Sequence, residues 1–288
     1  PIAFAFALTT SRAAPLTLNE RSFGSIERAG EGVSYGFTLT APSSLLIDTG
    51  QTSGADASDF VWRLSGPRGV EAPLNGAAGN APLNSFATTR SSVLSLPAGN
   101  YKFDVSSPTL ATGSFSFRLL DTADLPLLPF ESFVPLTLSP ASEAQAFSLR
   151  VDEDSDFIFT PTITPTRDGD WRILDSLGRA RVSGRMSESN ELFKLPAGSY
   201  IFVVDGQEID NNTDDHSDTY EFVLRRLLVR SQEILLGSEV SGVIDQPGLV
   251  REYVFWIDSP TTLVLDALSE GDNLSWELRG PVELIHSN

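Results

Sequence analysis

The sequence predicts an all-β chain built as tandem antiparallel β-sandwich repeats, jelly-roll or immunoglobulin-like, each of roughly 100–110 residues. Three observations predict it: a turn motif that returns, a tryptophan that returns behind an acidic turn, and short alternating strands that close each copy. The turn motif is Leu96-Pro97-Ala98-Gly99-Asn100-Tyr101-Lys102-Phe103-Asp104-Val105, which recurs as Leu195-Pro196-Ala197-Gly198-Ser199-Tyr200-Ile201-Phe202-Val203-Val204. Proline presets φ, glycine is free to take φ > 0, and the alternation that follows reads as a strand with one buried face.

The tryptophans are Trp62 after Asp56 and Asp59, Trp171 after Asp168 and Asp170, and Trp276 after Asp272; Gly-Pro follows the first and last, at Gly66-Pro67 and Gly280-Pro281. Their recurrence at one position of the repeat favours a core role over a sugar-stacking platform. Ahead of the first and third tryptophans, Phe37–Asp48 aligns without gaps on Phe255–Asp266 and reads as strand, turn, strand. The middle copy, Phe147–Phe159, reads as slightly longer, with an acidic turn. The copies close on the alternating strands Phe115–Leu119 and Tyr220–Leu224, and Phe4–Leu8 fits the same pattern. Residues 1–12 are therefore assigned to the last strand of a preceding repeat, 13–122 and 123–230 to two complete repeats, and 231–288 to the first half of a third. Thr122–Pro129, stiffened by its prolines, and Arg230-Ser231-Gln232 read as linkers. No segment reads as a helix.

A formal net charge of −18 argues against nucleic acid, whose phosphates need clustered Lys and Arg. With no cysteine, disulfides and thiolate chemistry are excluded. No apolar run is long enough to span a bilayer as a helix. The chain carries no Gly-x-Ser-x-Gly elbow, no His-Glu-x-x-His helix and no phosphate loop, and its two histidines, His216 and His286, sit in no catalytic motif. Carboxylate pairs for glycoside hydrolysis are set by spatial rather than sequence spacing, but repeats that place Asp in turns explain these carboxylates more simply. The expectation is a protein that is not an enzyme, lies outside the cell or on its surface, needs no cofactor, and has neighbouring repeats as its first partners, with self-association into fibres or a surface ligand beyond them.

Two acidic segments stand out. One is the insertion from Asp205 to Thr219, with Asp205, Asp210, Asp214, Asp215 and Asp218; the other is the turn carrying Asp152, Asp154 and Asp156. Oxygen-rich flexible loops of this kind suit calcium, though the EF-hand spacing is absent. The competing reading is a solvated acidic loop that keeps an edge strand from pairing with another chain. Asp56, Asp59, Asp168 and Asp170 read as turn caps. Trp256 replaces Thr38 at an aligned strand position, so it is expected to point outward as a contact surface.

The order of these motifs (a Phe-x-Leu strand, an apolar strand ending in Asp, an acidic turn, the Leu-Pro-Ala-Gly-x-Tyr turn and an aromatic closing strand) resembles the bacterial pre-peptidase C-terminal domains. The resemblance covers most of the two full repeats and the first half of the third. It implies non-catalytic modules of secreted bacterial proteins, used as spacers, binders or adhesive units, some of which bind calcium. An adhesive or structural segment is the leading reading, and an accessory substrate- or carbohydrate-binding module of a secreted protease or glycosidase is the alternative.

Overall fold

A computed structural model describes residues 13–54, 59–70, 81–82, 93–141, 143–162, 168–188, 191–206, 217–245, 248–266, 276–280 and 284–287. Residues up to Val229 with Ile244–Val250 form one compact unit, and Arg230–Val243 with Arg251–Asn288 form a second.

The first repeat contributes β1 (Ala14–Pro15), β2 (Arg21–Ile26), β3 (Gly32–Leu39), β4 (Ser43–Ser53), β5 (Val61–Gly66), β6 (Gly69–Val70), β7 (Ala81–Pro82), β8 (Val93–Leu96), β9 (Gly99–Ser106) and β10 (Gly113–Asp121). The second contributes β11 (Val134–Leu138), β12 (Ala144–Val151), β13 (Ser155–Pro161), β14 (Asp170–Asp175), β15 (Ala180–Arg185), β16 (Glu191–Leu195), β17 (Gly198–Asp205) and β18 (Asp218–Arg226). Beyond them lie β19 (Leu228–Glu233) and β20 (Leu249–Val254), which pair, and β21 (Glu277–Arg279) and β22 (Leu284–Ser287), which pair.

Sheet I runs β1-β3-β9-β5-β6, with β7 also on β5, and sheet II runs β2-β10-β4-β8. Sheet III runs β12-β17-β14-β15 and sheet IV runs β11-β18-β13-β16. The second repeat divides its eight strands into two four-strand sheets interleaved as in a jelly roll, and the first follows the same order with extra strand pairing on β5, so the structure selects the jelly roll over the immunoglobulin arrangement.

The two cores repeat as well. Trp62 stacks on Phe103 at 5.6 Å and Phe103 on Phe117 at 4.4 Å. In the second sandwich Trp171 lies over Phe202 at 5.9 Å and Phe202 over Phe222 at 5.1 Å. Trp62 faces Val105 across the ladder as Trp171 faces Val204, so the recurring tryptophan is one structural position, and both are buried. Trp276 is partly exposed. The recurring turn has a physical basis that the sequence left open: the Tyr101 hydroxyl donates to Pro97 O at 2.6 Å and the Tyr200 hydroxyl to Pro196 O at 2.9 Å, so the tyrosine ties its own turn shut.

Register changes some of the sequence expectations. Tyr101 pairs with Phe37 and Tyr200 with Leu149, so Leu149, not Phe147, occupies the Phe37 position, and the middle copy matches the first from β3 into β4 with no extra residues. The Thr122–Pro129 segment is no free linker. Asp121 caps a short 3-10 turn at Thr122–Asp124, and the chain then runs parallel to β12, with Leu128 N donating to Ser148 O at 2.8 Å and Ser148 N to Pro126 O at 2.8 Å. Backbone groups that would otherwise be orphaned beside a sheet edge are satisfied this way. Leu16 N makes the same bond to Gly36 O in the first repeat, and Ile234 N makes it to Val254 O in the third. The expected linker Arg230-Ser231-Gln232 lies within strand β19, and neither strand expected in Phe255–Asp266 is formed among the described residues: β20 ends at Val254, and Trp256 lies beyond it. Phe4–Leu8 lies outside the described residues.

Candidate functional site

The most constructed surface of the first unit is the contact between the two sandwiches. In sheet II, residues 45–49 of β4 and residues 115–117 and 119–120 of β10 are buried in succession, so both faces are covered there. Sheet III likewise buries Leu149, Val151, Trp171, Phe202 and Val204 on its inner side, while Ala144, Ala146, Leu174, Ile201 and Val203 on its other side join the core of the first sandwich. Sheets I to IV therefore stack as four layers, with sheet II lying on sheet III.

Polar groups are built into the middle of this joint. Asp48 on β4, 1% exposed, accepts from Arg21 on β2 at 2.9 Å, from Arg118 Nε on β10 at 3.0 Å, and from the backbone N–H of Ala144 at 3.2 Å. Glu143, just before β12, pairs with the same two guanidiniums at 3.1 Å and 2.8 Å. Arg118 also donates to Ala144 O. Two arginines and one aspartate of the first sandwich thus clamp one glutamate of the second and both backbone polar groups of its Ala144. Beside them Arg172 on β14 pairs with Asp205 on β17 at 2.8 Å.

Burial raises the Asp48 carboxyl above its usual range, against the pull of Arg118 and Arg21. Burial likewise raises Asp205, to about 7, because desolvation outweighs Arg172 and nearby Asp48 and Asp170 add like charge. Desolvation also raises Asp170. Paired guanidiniums make buried carboxylates tolerable, and removing one partner is what makes such a cluster costly.

The structure accounts for the acidic positions singled out in the sequence as follows. Asp152 is exposed and paired with Arg150 at 2.9 Å. Asp154 accepts the Ala197 N–H at 2.9 Å and so braces the Pro-Ala-Gly turn. Asp156 is exposed on β13 opposite Lys194. Asp205 belongs to the joint. Asp218 is 5% exposed, and its Oδ2 has no hydrogen-bond partner among the described residues. Asp210, Asp214 and Asp215 lie outside the described residues. Among the described residues no three His, Asp or Glu side chains converge as a metal site. Asp168 caps a turn by accepting from Ser187 N at 3.0 Å and Ser187 Oγ at 2.8 Å. Trp256 is 75% exposed.

The joint was legible in one signal that sequence reading passed over. The strand at Asn100–Val105 alternates polar and apolar, whereas its counterpart Ile201-Phe202-Val203-Val204 does not, and neither does Leu45-Leu46-Ile47. Lost alternation is the mark of a strand buried on both faces. On the free face of sheet I the same positions carry Ser34, Lys102 and Asp104, with Lys102 paired to Asp104 at 2.7 Å.

The fold and the joint define the class: stacked jelly-roll β-sandwich repeats. No family model matches the chain, and no curated protein does. Among solved structures the chain is similar to the CUB1-EGF-CUB2 domain of human MASP-1/3 (8% identity, TM-score 0.19, covering 70% of this chain and 99% of that one). It is also similar to the M60 catalytic domain with CBM51-1 and CBM51-2 domains from Clostridium perfringens ZmpB (8%, TM-score 0.19, 72% and 38%). A third likeness is to N-glycanase F (9%, TM-score 0.19, 71% and 93%). At such TM-scores these likenesses carry no functional argument. No helix among the described residues is long and apolar enough to cross a membrane.

Proposed function

We propose that this chain is a non-catalytic structural segment of a larger secreted or cell-surface protein, in which jelly-roll sandwiches stack as a rigid spacer of a stalk, fibre or adhesin. The observation that supports this reading is the joint: two sandwiches share a buried face held by four ionic side chains, where a flexible string of modules would show solvated facing surfaces. The resemblance to pre-peptidase C-terminal domains and the absence of cysteine accord with a bacterial exported protein. Because the chain has no cysteine, single reporters can be placed uniquely. Spin labels at Lys102→Cys on sheet I and Leu192→Cys on sheet IV test the reading by pulsed dipolar spectroscopy. A rigid spacer gives one narrow distance distribution, and a broad one spanning tens of ångströms overturns it.

A second reading, an accessory binding module for a carbohydrate or protein substrate, draws on exposed Trp256 beside exposed Ile257. Aromatic surfaces of this kind serve sugar and protein contacts. Quenching or a shift of Trp256 fluorescence by soluble polysaccharides, lost in Trp256→Ala, supports that reading; an unchanged spectrum removes it.

A further inference from the structure

Register relates the outer face of sheet IV to the face of sheet II that forms the joint. Asp48 pairs with Arg118 across β4 and β10, and Thr160 pairs with Val223 across β13 and β18. Arg21 lies opposite Arg118, and by the same ladder Phe133 falls opposite Val223. The fourth member, Glu143, stands five residues before Ser148, whose carbonyl receives Leu128 N; Leu249 stands five before Val254, whose carbonyl receives Ile234 N. The ionic set Asp48, Arg118, Arg21 and Glu143 is thus matched, position for position, by Thr160, Val223, Phe133 and Leu249.

Burial singles out two members of this second set, while Thr160 is half-buried and Phe133 is 60% exposed. Val223 is 0% exposed and Leu249 6%, yet neither belongs to either sandwich core. Residues 248–250 are held against the end of β18: Leu228 N donates to Gly248 O at 3.0 Å, and a β-carbon at Gly248 would lie 3.3 Å from Arg226 O and 3.7 Å from the Arg225 β-carbon.

We propose that the outer face of sheet IV is a second joint, closed by residues 248–250 with Leu249 on Val223, and that replacing an ionic set by an uncharged one makes each joint accept only its own closing segment. A glutamate arriving at Val223 would meet, in place of two guanidiniums grouped on a carboxylate, Arg225 two residues along the same face, already paired with Glu131 at 3.9 Å, and a leucine arriving at Arg21 and Arg118 would leave two guanidiniums sharing Asp48 alone. Discrimination by such mismatches sets which segment can close each face. The inference rests on the reading of the chain as a stack. Its test addresses the second joint only, so that a broad distance distribution between sheets I and IV and a failure here are separate results.

The experiment is amide hydrogen exchange on the full chain, read at residues 228 and 248–250, with Phe202 and Val204 as an internal reference for the second sandwich. Leu249→Glu is expected to lower protection at residues 228 and 248–250 about a hundredfold, a buried charge whose neighbouring Arg225 is already engaged by Glu131 being costly, with the reference unchanged. Leu249→Ala, which removes volume but adds no charge, is expected to lower it only about tenfold. Adding Val223→Arg to Leu249→Glu recreates the first joint's pair and should restore protection to within about tenfold of the parent chain. Unchanged protection in Leu249→Glu overturns the joint. Equal losses in the Ala and Glu variants, or a folded double variant without recovery, overturn the partner exclusion; should the double variant not fold, the Ala–Glu comparison decides alone. Glu143→Leu should in turn expose Ala144 N–H, which bonds Asp48, to exchange, and full protection there likewise overturns the exclusion.

Discussion

Arg118→Met is the sharpest perturbation of the joint. Its side chain is 13% exposed and bridges Asp48, 2% exposed at the side chain, to Glu143, 16% exposed, so the change removes a cation from a largely dry site without removing much volume. Three charge-assisted bonds are lost: to Asp48, to Glu143 and to Ala144 O. Simple addition would overstate the effect, because Arg21 stays within 2.9 Å of Asp48 and 3.1 Å of Glu143. Breaking a buried pair from one side costs about 3–5 kcal/mol, and the surviving arginine places the expectation at about 3 kcal/mol. With a urea m-value near the upper end for single domains, about 3 kcal/mol/M, the midpoint should fall by about 1 M. The two sandwiches can be followed separately, since Trp62 and Trp171 each lie in one core; variants retaining only one of them, the other tryptophans replaced by Phe, report each unfolding. In the parent chain the two reporters should give coincident transitions, and in Arg118→Met the transitions should shift down and separate. Non-coincident transitions in the parent, or a midpoint change below about 0.2 M in the variant, would refute the argument that the ionic clamp couples the sandwiches.

Stability should also depend on pH through Asp205. Its folded pKa of about 7 exceeds the reference 3.8, so between these values the folded chain holds a proton that the unfolded chain has released. This contribution is therefore fully present below the unfolded value and lost as pH rises through about 7; raised Asp48 acts in the same direction. Urea midpoints at pH 5.5 should exceed those at pH 8, and Asp205→Asn should flatten that difference; an unaltered slope in the variant contradicts the assignment. Tyr200→Phe removes the hydroxyl that closes the second Pro-Ala-Gly turn and should cost about 1 kcal/mol by denaturation, with a similar loss for Tyr101→Phe. Gly99→Ala should cost more, about 2 kcal/mol or above, because Gly99 has φ +153 and an added β-carbon would sit 2.2 Å from Pro67 Cγ; thermal melting compares it with Gly69→Ala, where φ is +94 but no atom lies within 4 Å. If the Asp205–Asp218 insertion takes calcium, the metal should raise the melting temperature of the second sandwich and a chelator should reverse it; no shift removes that reading.

Some of this architecture could be read directly along the chain. The Leu-Pro-Ala-Gly-x-Tyr turn marks β9 and β17 because proline, glycine and the tyrosine tether act within a few residues of one another. The tryptophan position could be read because Trp62 and Trp171 sit in the same cross-strand relation to the strand that each turn launches. The middle copy was misaligned by two residues because Phe147 and Leu149 are both apolar and point to the same side of β12; only the pairing with Tyr200 distinguishes them. The proline-rich Thr122–Pro129 read as a linker because its hydrogen bonds go to a strand that lies twenty residues further on, at Ser148.

The amino-acid sequence by itself determined an all-β repeat chain, its turns and its aromatic cores, since these follow from residue patterns within single strands and hairpins. Tertiary structure alone decided the jelly-roll strand order, the four-layer stack and the clamp of Arg21, Asp48, Arg118 and Glu143. The physical reason is that a strand's alternation records whether each face is wet or dry but not which sheet dries it, and Glu143 finds its guanidiniums on two strands of another sandwich that only tertiary packing brings to it.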